Sequence, residues 1–170
     1  MKKLVVCTIA ALIAVPVLMV GQNKYVGVKQ CMPCHKNEKL GGVSYTVWEK
    51  TTHAKAFATL KTKEADEIAK KGGSDKPAAE TQACLDCHVT GTNVKDEGVS
   101  CEACHGAGSG YKAVHSKKDA TDEAKAKAGL VLGDDLKKTC ETCHNKKSPT
   151  FKGFDYAKYW EKIAHSGKKS

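Results

Sequence analysis

Apolar positions along this chain fall into one long run and several short, unevenly spaced groups. Val5 to Val20 is apolar throughout apart from Cys7, Thr8 and Pro16; Lys2 and Lys3 precede it, and Gln22-Asn23-Lys24 turn the chain polar again. A positive start, an apolar stretch too short for a comfortable membrane span and a polar exit predict a secretory signal over residues 1–21. Cleavage there leaves residues 22–170 as one domain with no membrane span, in the periplasm or outside the cell. From Ser44 to about Lys70 the spacing is helical, with Trp48, His53, Phe57 and Leu60 only partly in register. The alanine- and lysine-rich segment from Asp122 to Leu130 predicts a second helix, with Gly133 as a break. A third starts at Leu136, and a last helix from Tyr156 to His165 carries Tyr156, Tyr159, Trp160 and Ile163 on one face. Gly41-Gly42, the stretch from Lys70 to Pro77 and the excursion from Gly91 to Gly98 read as turns and loops. The fold class is mainly α, with little β.

Composition makes that fold hard to stabilise alone. Only 41% of the chain is apolar and 6% aromatic, which is lean for a protein-only core. All of the 28 basic residues are lysine, for a net charge of +9. Without arginine the chain lacks the planar fork suited to phosphate and base recognition, so the charge does not mark a nucleic-acid binder. It describes a solvated lysine surface, suited to acidic partners or to cofactor carboxylates.

Removing Cys7 with the signal leaves eight cysteines, and all eight lie in four copies of one pattern. The copies are Cys31-Met32-Pro33-Cys34-His35, Cys84-Leu85-Asp86-Cys87-His88, Cys101-Glu102-Ala103-Cys104-His105 and Cys140-Glu141-Thr142-Cys143-His144. Cys-x-x-Cys-His is the attachment sequence of a c-type haem: two thiols form thioethers to the ring, and the next histidine ligates the iron. Zinc sites and disulfide frameworks also use paired cysteines, but neither explains a histidine after every second one. Four haem c groups, with their iron, would also supply the missing apolar interior. The second and third motifs start seventeen residues apart, which predicts neighbouring haems.

Seven histidines are present. His35, His88, His105 and His144 belong to the motifs, so His53, His115 and His165 are the candidate distal ligands. Four irons with two imidazoles each need one more histidine than the chain has. Met32, a lysine, the new N-terminal amine or a histidine from a second copy could close the last position; otherwise one iron is five-coordinate. The run Gly106-Ala107-Gly108-Ser109-Gly110 lacks the preceding strand and the lysine of a phosphate loop, and reads as tight backbone passage beside a porphyrin.

Three flanking segments bear a further likeness. Trp48-Glu49-Lys50-Thr51-Thr52-His53-Ala54-Lys55-Ala56, the third motif continued through Gly106-Ala107-Gly108 to His115, and the Tyr156–His165 helix resemble those of the tetrahaem cytochrome c-554 family, from about Tyr25 to Ser170. The resemblance implies a mainly helical fold wrapped around stacked haem pairs, and pairs His35 with His115, His105 with His53 and His144 with His165. It leaves His88 as the proximal ligand of a five-coordinate haem. It implies an electron carrier between a redox donor and acceptor, not an enzyme. Nitrogen-oxide reduction, nitric oxide included, at the open haem is one alternative; assembly of the chain with copies of itself into a conducting filament is another. This chain is shorter than the family between the fourth motif and the last helix.

Overall fold

The computed structural model describes residues 22–165; the signal segment expected over 1–21 lies outside them. Helices form where capping and composition allow them, and the described residues contain no strand. The first motif forms α1 (Met32–His35), with a proline in its first turn. Three short helices follow: α2 (Ser44–Trp48), α3 (Ala56–Thr59) and α4 (Lys63–Lys71), with a 3-10 turn over His53–Lys55. The second motif ends α5 (Gln82–His88), and the third makes up α6 (Cys101–His105). Then come α7 (Gly108–His115), α8 (Asp122–Lys127), α9 (Asp135–Cys143) with the fourth motif at its end, and α10 (Tyr156–Ile163).

The single helical region expected from Ser44 to Lys70 is therefore broken into pieces, and threonines explain the breaks. Thr51, Thr59 and Thr62 turn their hydroxyls back onto the carbonyls of Trp48, Lys55 and Thr59, competing with helix propagation. Thr62 then caps the next helix by accepting from the Ala65 amide. The other predicted helices form close to their expected bounds. The helix starting at Asp122 stops short of Leu130, because Gly129 takes a left-handed φ of 97°.

The apolar core is small. Phe57, Leu60, Ala65, Ala69 and Ala78 form its buried cluster between α3, α4 and α5. A second anchor is polar. Glu102, 2% exposed, accepts from the amides of Val26, Gly27 and Gly108 at 2.6–3.1 Å. Glu97 accepts from the Val28 amide. Two carboxylates thus hold the extended N-terminal segment against the third motif. The glycines after that motif serve the same contact. A Cβ at Gly110 would lie 2.2 Å from Asn23 Nδ2 and 2.4 Å from the Ala128 carbonyl, and one at Gly106 2.5 Å from the Gly129 carbonyl. Among the described residues, what crowds them is neighbouring protein.

Candidate haem-binding site

The four motifs end on four short helices, and their thiols approach one another in an order different from the chain's. A hydrogen bond between the Cys31 and Cys101 thiols lowers the first below the usual thiol range and raises the second, setting the first motif against the third. Cys143 Sγ lies 3.9 Å from the Asp86 carbonyl, setting the fourth motif against the second. Burial, and then the neighbouring Cys143, pushes Cys87 up to about 11. Burial raises Cys104 to about 11 as well, with Cys140 and Cys143 adding to the effect. The second motif thus has the fourth beside it, and hydrogen bonds between Thr90 and Ser100 also join the end of the second motif to the start of the third. All eight described cysteines are unbridged, and no three His, Cys, Asp or Glu side chains among the described residues converge to hold a bare metal ion.

Six of the seven histidines meet in pairs. The rings of His35 and His115 have centroids 6.0 Å apart and planes 5° from parallel. His53 faces His144 at 6.0 Å with planes at 64°, and His105 faces His165 at 6.0 Å with planes at 68°. The first pair is the one the resemblance implied. The other two exchange partners: the last helix brings His165 to the third motif, and the turn at His53 sits by the fourth. Chain order carries no information about these crossings; α9, which carries the fourth motif, packs against both α5 and α6. His88 has no imidazole opposite it among the described residues.

These rings fit a shared iron. Two imidazole nitrogens each about 2 Å from one metal, a normal ligand distance, put the ring centroids about 6 Å apart. Each ligating ring must also present an unprotonated nitrogen, and the other nitrogen settles which one that is. Nδ1 of His35, His88, His105, His115 and His165 lies 2.9–3.1 Å from the carbonyls of Gly41, Ala56, Val131, Tyr111 and Ile163. A carbonyl only accepts, so Nδ1 carries the proton and the Nε2 lone pair is free for a metal. His144 is supported differently, by stacking on Phe154 at 4.6 Å and 12°. Burial lowers His35, His53, His105 and His144 below the usual imidazole range, which favours the neutral, ligating form. The acceptor carbonyls are invisible to motif reading, since a backbone oxygen has no side-chain signature.

Short helices carrying Cys-x-x-Cys-His, with ligand-competent imidazoles facing one another across a metal-sized gap, define a c-type cytochrome, whose cofactor is haem c with its iron. Comparisons with known proteins give the lineage. The family described as cytochrome c554 and c-prime matches residues 30–106. Cytochrome c-554 of Nitrosomonas europaea is 29% identical over 179 residues, covering 90% of this chain and 73% of that protein. Both matches make the chain similar to the cytochrome c-554 family. No solved structure matches it.

Proposed function

We propose that the chain is an electron relay outside the cytoplasm carrying four haem c groups, three of them bis-histidine and one with an open axial position. The observation that carries this reading is the pairing of six imidazoles at 6.0 Å, with His88 left unpaired. Cys31 and Cys34, Cys84 and Cys87, Cys101 and Cys104, and Cys140 and Cys143 would hold the rings covalently. His35/His115, His105/His165 and His144/His53 would hold three irons, and His88 the fourth. Haem c supplies one-electron exchange between ferric and ferrous iron. What the chain contributes is ligand choice, a hydrogen bond behind each of five imidazoles, and burial, the terms that set a haem's potential. The contacts between motifs one and three, two and four, and three and four support a continuous path.

A surface rich in lysine and free of arginine suits an acidic redox partner, whose encounter it would steer at low ionic strength. The unpaired His88 favours one second reading, binding of nitric oxide or a related nitrogen oxide at that iron. Mass spectrometry of the purified holoprotein, followed by addition of nitric oxide, tests both. Four haems and a nitric oxide complex at one of them are expected. Fewer than four haems would overturn the relay as stated; four haems that ignore nitric oxide would remove the open site.

A further inference from the structure

One short turn serves two of these sites. His53 and Ala56 lie at either end of it. The His53 ring faces His144. The Ala56 carbonyl, one turn on, accepts from Nδ1 of His88 at 3.0 Å. The same turn is gripped from outside. The Val99 amide donates to the His53 carbonyl at 3.0 Å, and the Trp48 indole N–H donates to the Val99 carbonyl at 2.9 Å. Gly98 lies flat against it, at a φ of 66°. A Cβ there would come within 2.6 Å of the His53 carbonyl, 3.1 Å of the Ala54 carbonyl and 3.2 Å of the Ala56 nitrogen. The ring of contacts closes at Thr90, two residues after His88: its amide and hydroxyl both donate to the Gly98 carbonyl, at 3.0 and 3.1 Å. The Thr90 hydroxyl also accepts from the Ser100 amide at 2.7 Å, in a place where both side chains are buried.

We propose that Gly98 is a positioning residue that couples the iron site of His88 to the iron site of His53 and His144 through the turn from His53 to Ala56. His53 cannot shift along its own axis without moving the Ala56 carbonyl, because Gly98 and Val99 leave the turn no separate freedom. The hydrogen bond behind a ligating histidine tunes the basicity of that ligand and hence the potential of its metal. The two sites therefore respond as a pair. The His35/His115 and His105/His165 sites draw their backbone acceptors from elsewhere and stand outside the pair.

The inference rests on the four-haem reading above, and the test keeps the two apart. Haem mass and a redox titration of the wild-type holoprotein come first; fewer than four haems would overturn the underlying reading before any variant is compared. Potentials are then measured for three variants that retain four haems. Gly98→Ala drives the turn outward, and Trp48→Phe releases Val99 from the opposite side. Gly73→Ala is the control, with a φ of 88° and nothing within 4 Å of its Cβ, so it imposes backbone strain without touching the turn. In Gly98→Ala and Trp48→Phe, two of the four midpoint potentials should move together, along with the EPR signal of the His53/His144 iron. The signal of the His35/His115 iron and all four potentials of Gly73→Ala should stay as in the wild type. A shift at one haem only, an equal shift at all four or no shift would overturn the proposal. If Gly98→Ala does not fold, Trp48→Phe decides by the same criterion.

Discussion

The His35/His115 site and the two crossed sites differ in how their rings are set. In the first, each ring is anchored to a carbonyl close by in its own segment: Gly41 six residues after His35, Tyr111 one helical turn before His115. The planes come out parallel, at 5°. In each crossed site, at least one ring is set by something other than a carbonyl of its own segment. His105 is set by Val131 and His165 by Ile163; His144 is set by Phe154, and the backbone of His53 by Val99. Those planes stand at 64° and 68°. On a shared haem iron, such imidazole pairs would acquire two electronic characters from how their rings are set. Parallel imidazoles split the iron d orbitals that point between the ligands, while crossed imidazoles leave them nearly degenerate.

The largest way to break the contrast is at the parallel site. Its N-terminal segment hangs on Glu102, whose buried carboxylate satisfies three amides. Glu102→Leu should destabilise the holoprotein by about 3 kcal/mol or more, since hydrogen bonds to a charged group contribute roughly 1.5–3 kcal/mol each and the amides are left unsatisfied. Denaturant unfolding followed by far-UV circular dichroism measures this, and a loss below about 1 kcal/mol would show that the clamp is dispensable.

Removing single ligands should sharpen the contrast with little change in stability. His115→Ala is expected to abolish the parallel-type low-spin signal and leave both crossed-type signals. His165→Ala should remove one crossed-type signal and spare the parallel one. The smallest effect belongs to a residue remote from every pair. Thr62→Ala removes the cap of α4 and should cost about 1 kcal/mol without altering any haem spectrum. A spectral change there would mean that α4 is linked to the sites in a way its contacts do not suggest.

The parallel and crossed sites also differ in how far they could be read in advance. The four Cys-x-x-Cys-His motifs were legible throughout, because each is a local chemical unit. So were the starts of α8 and α10 and the span of α9 that delivers the fourth motif. The His35/His115 pair was legible through the resemblance. The crossed pairs were not: His53 lies in a region that looked like one helix until the threonine hydroxyls cut it. The glycines after the third motif were recognised as crowded, but the crowding atoms, Asn23 and the carbonyls of Ala128 and Gly129, lie about twenty to ninety residues away and leave no mark in the local sequence.

Low-temperature EPR of the oxidised holoprotein tests the central claim most directly. The account predicts one rhombic low-spin signal from parallel imidazoles, two strongly anisotropic large-g signals from crossed imidazoles, and one high-spin signal from the iron ligated by His88. Three equivalent rhombic signals, or four low-spin irons with no high-spin component, would contradict it.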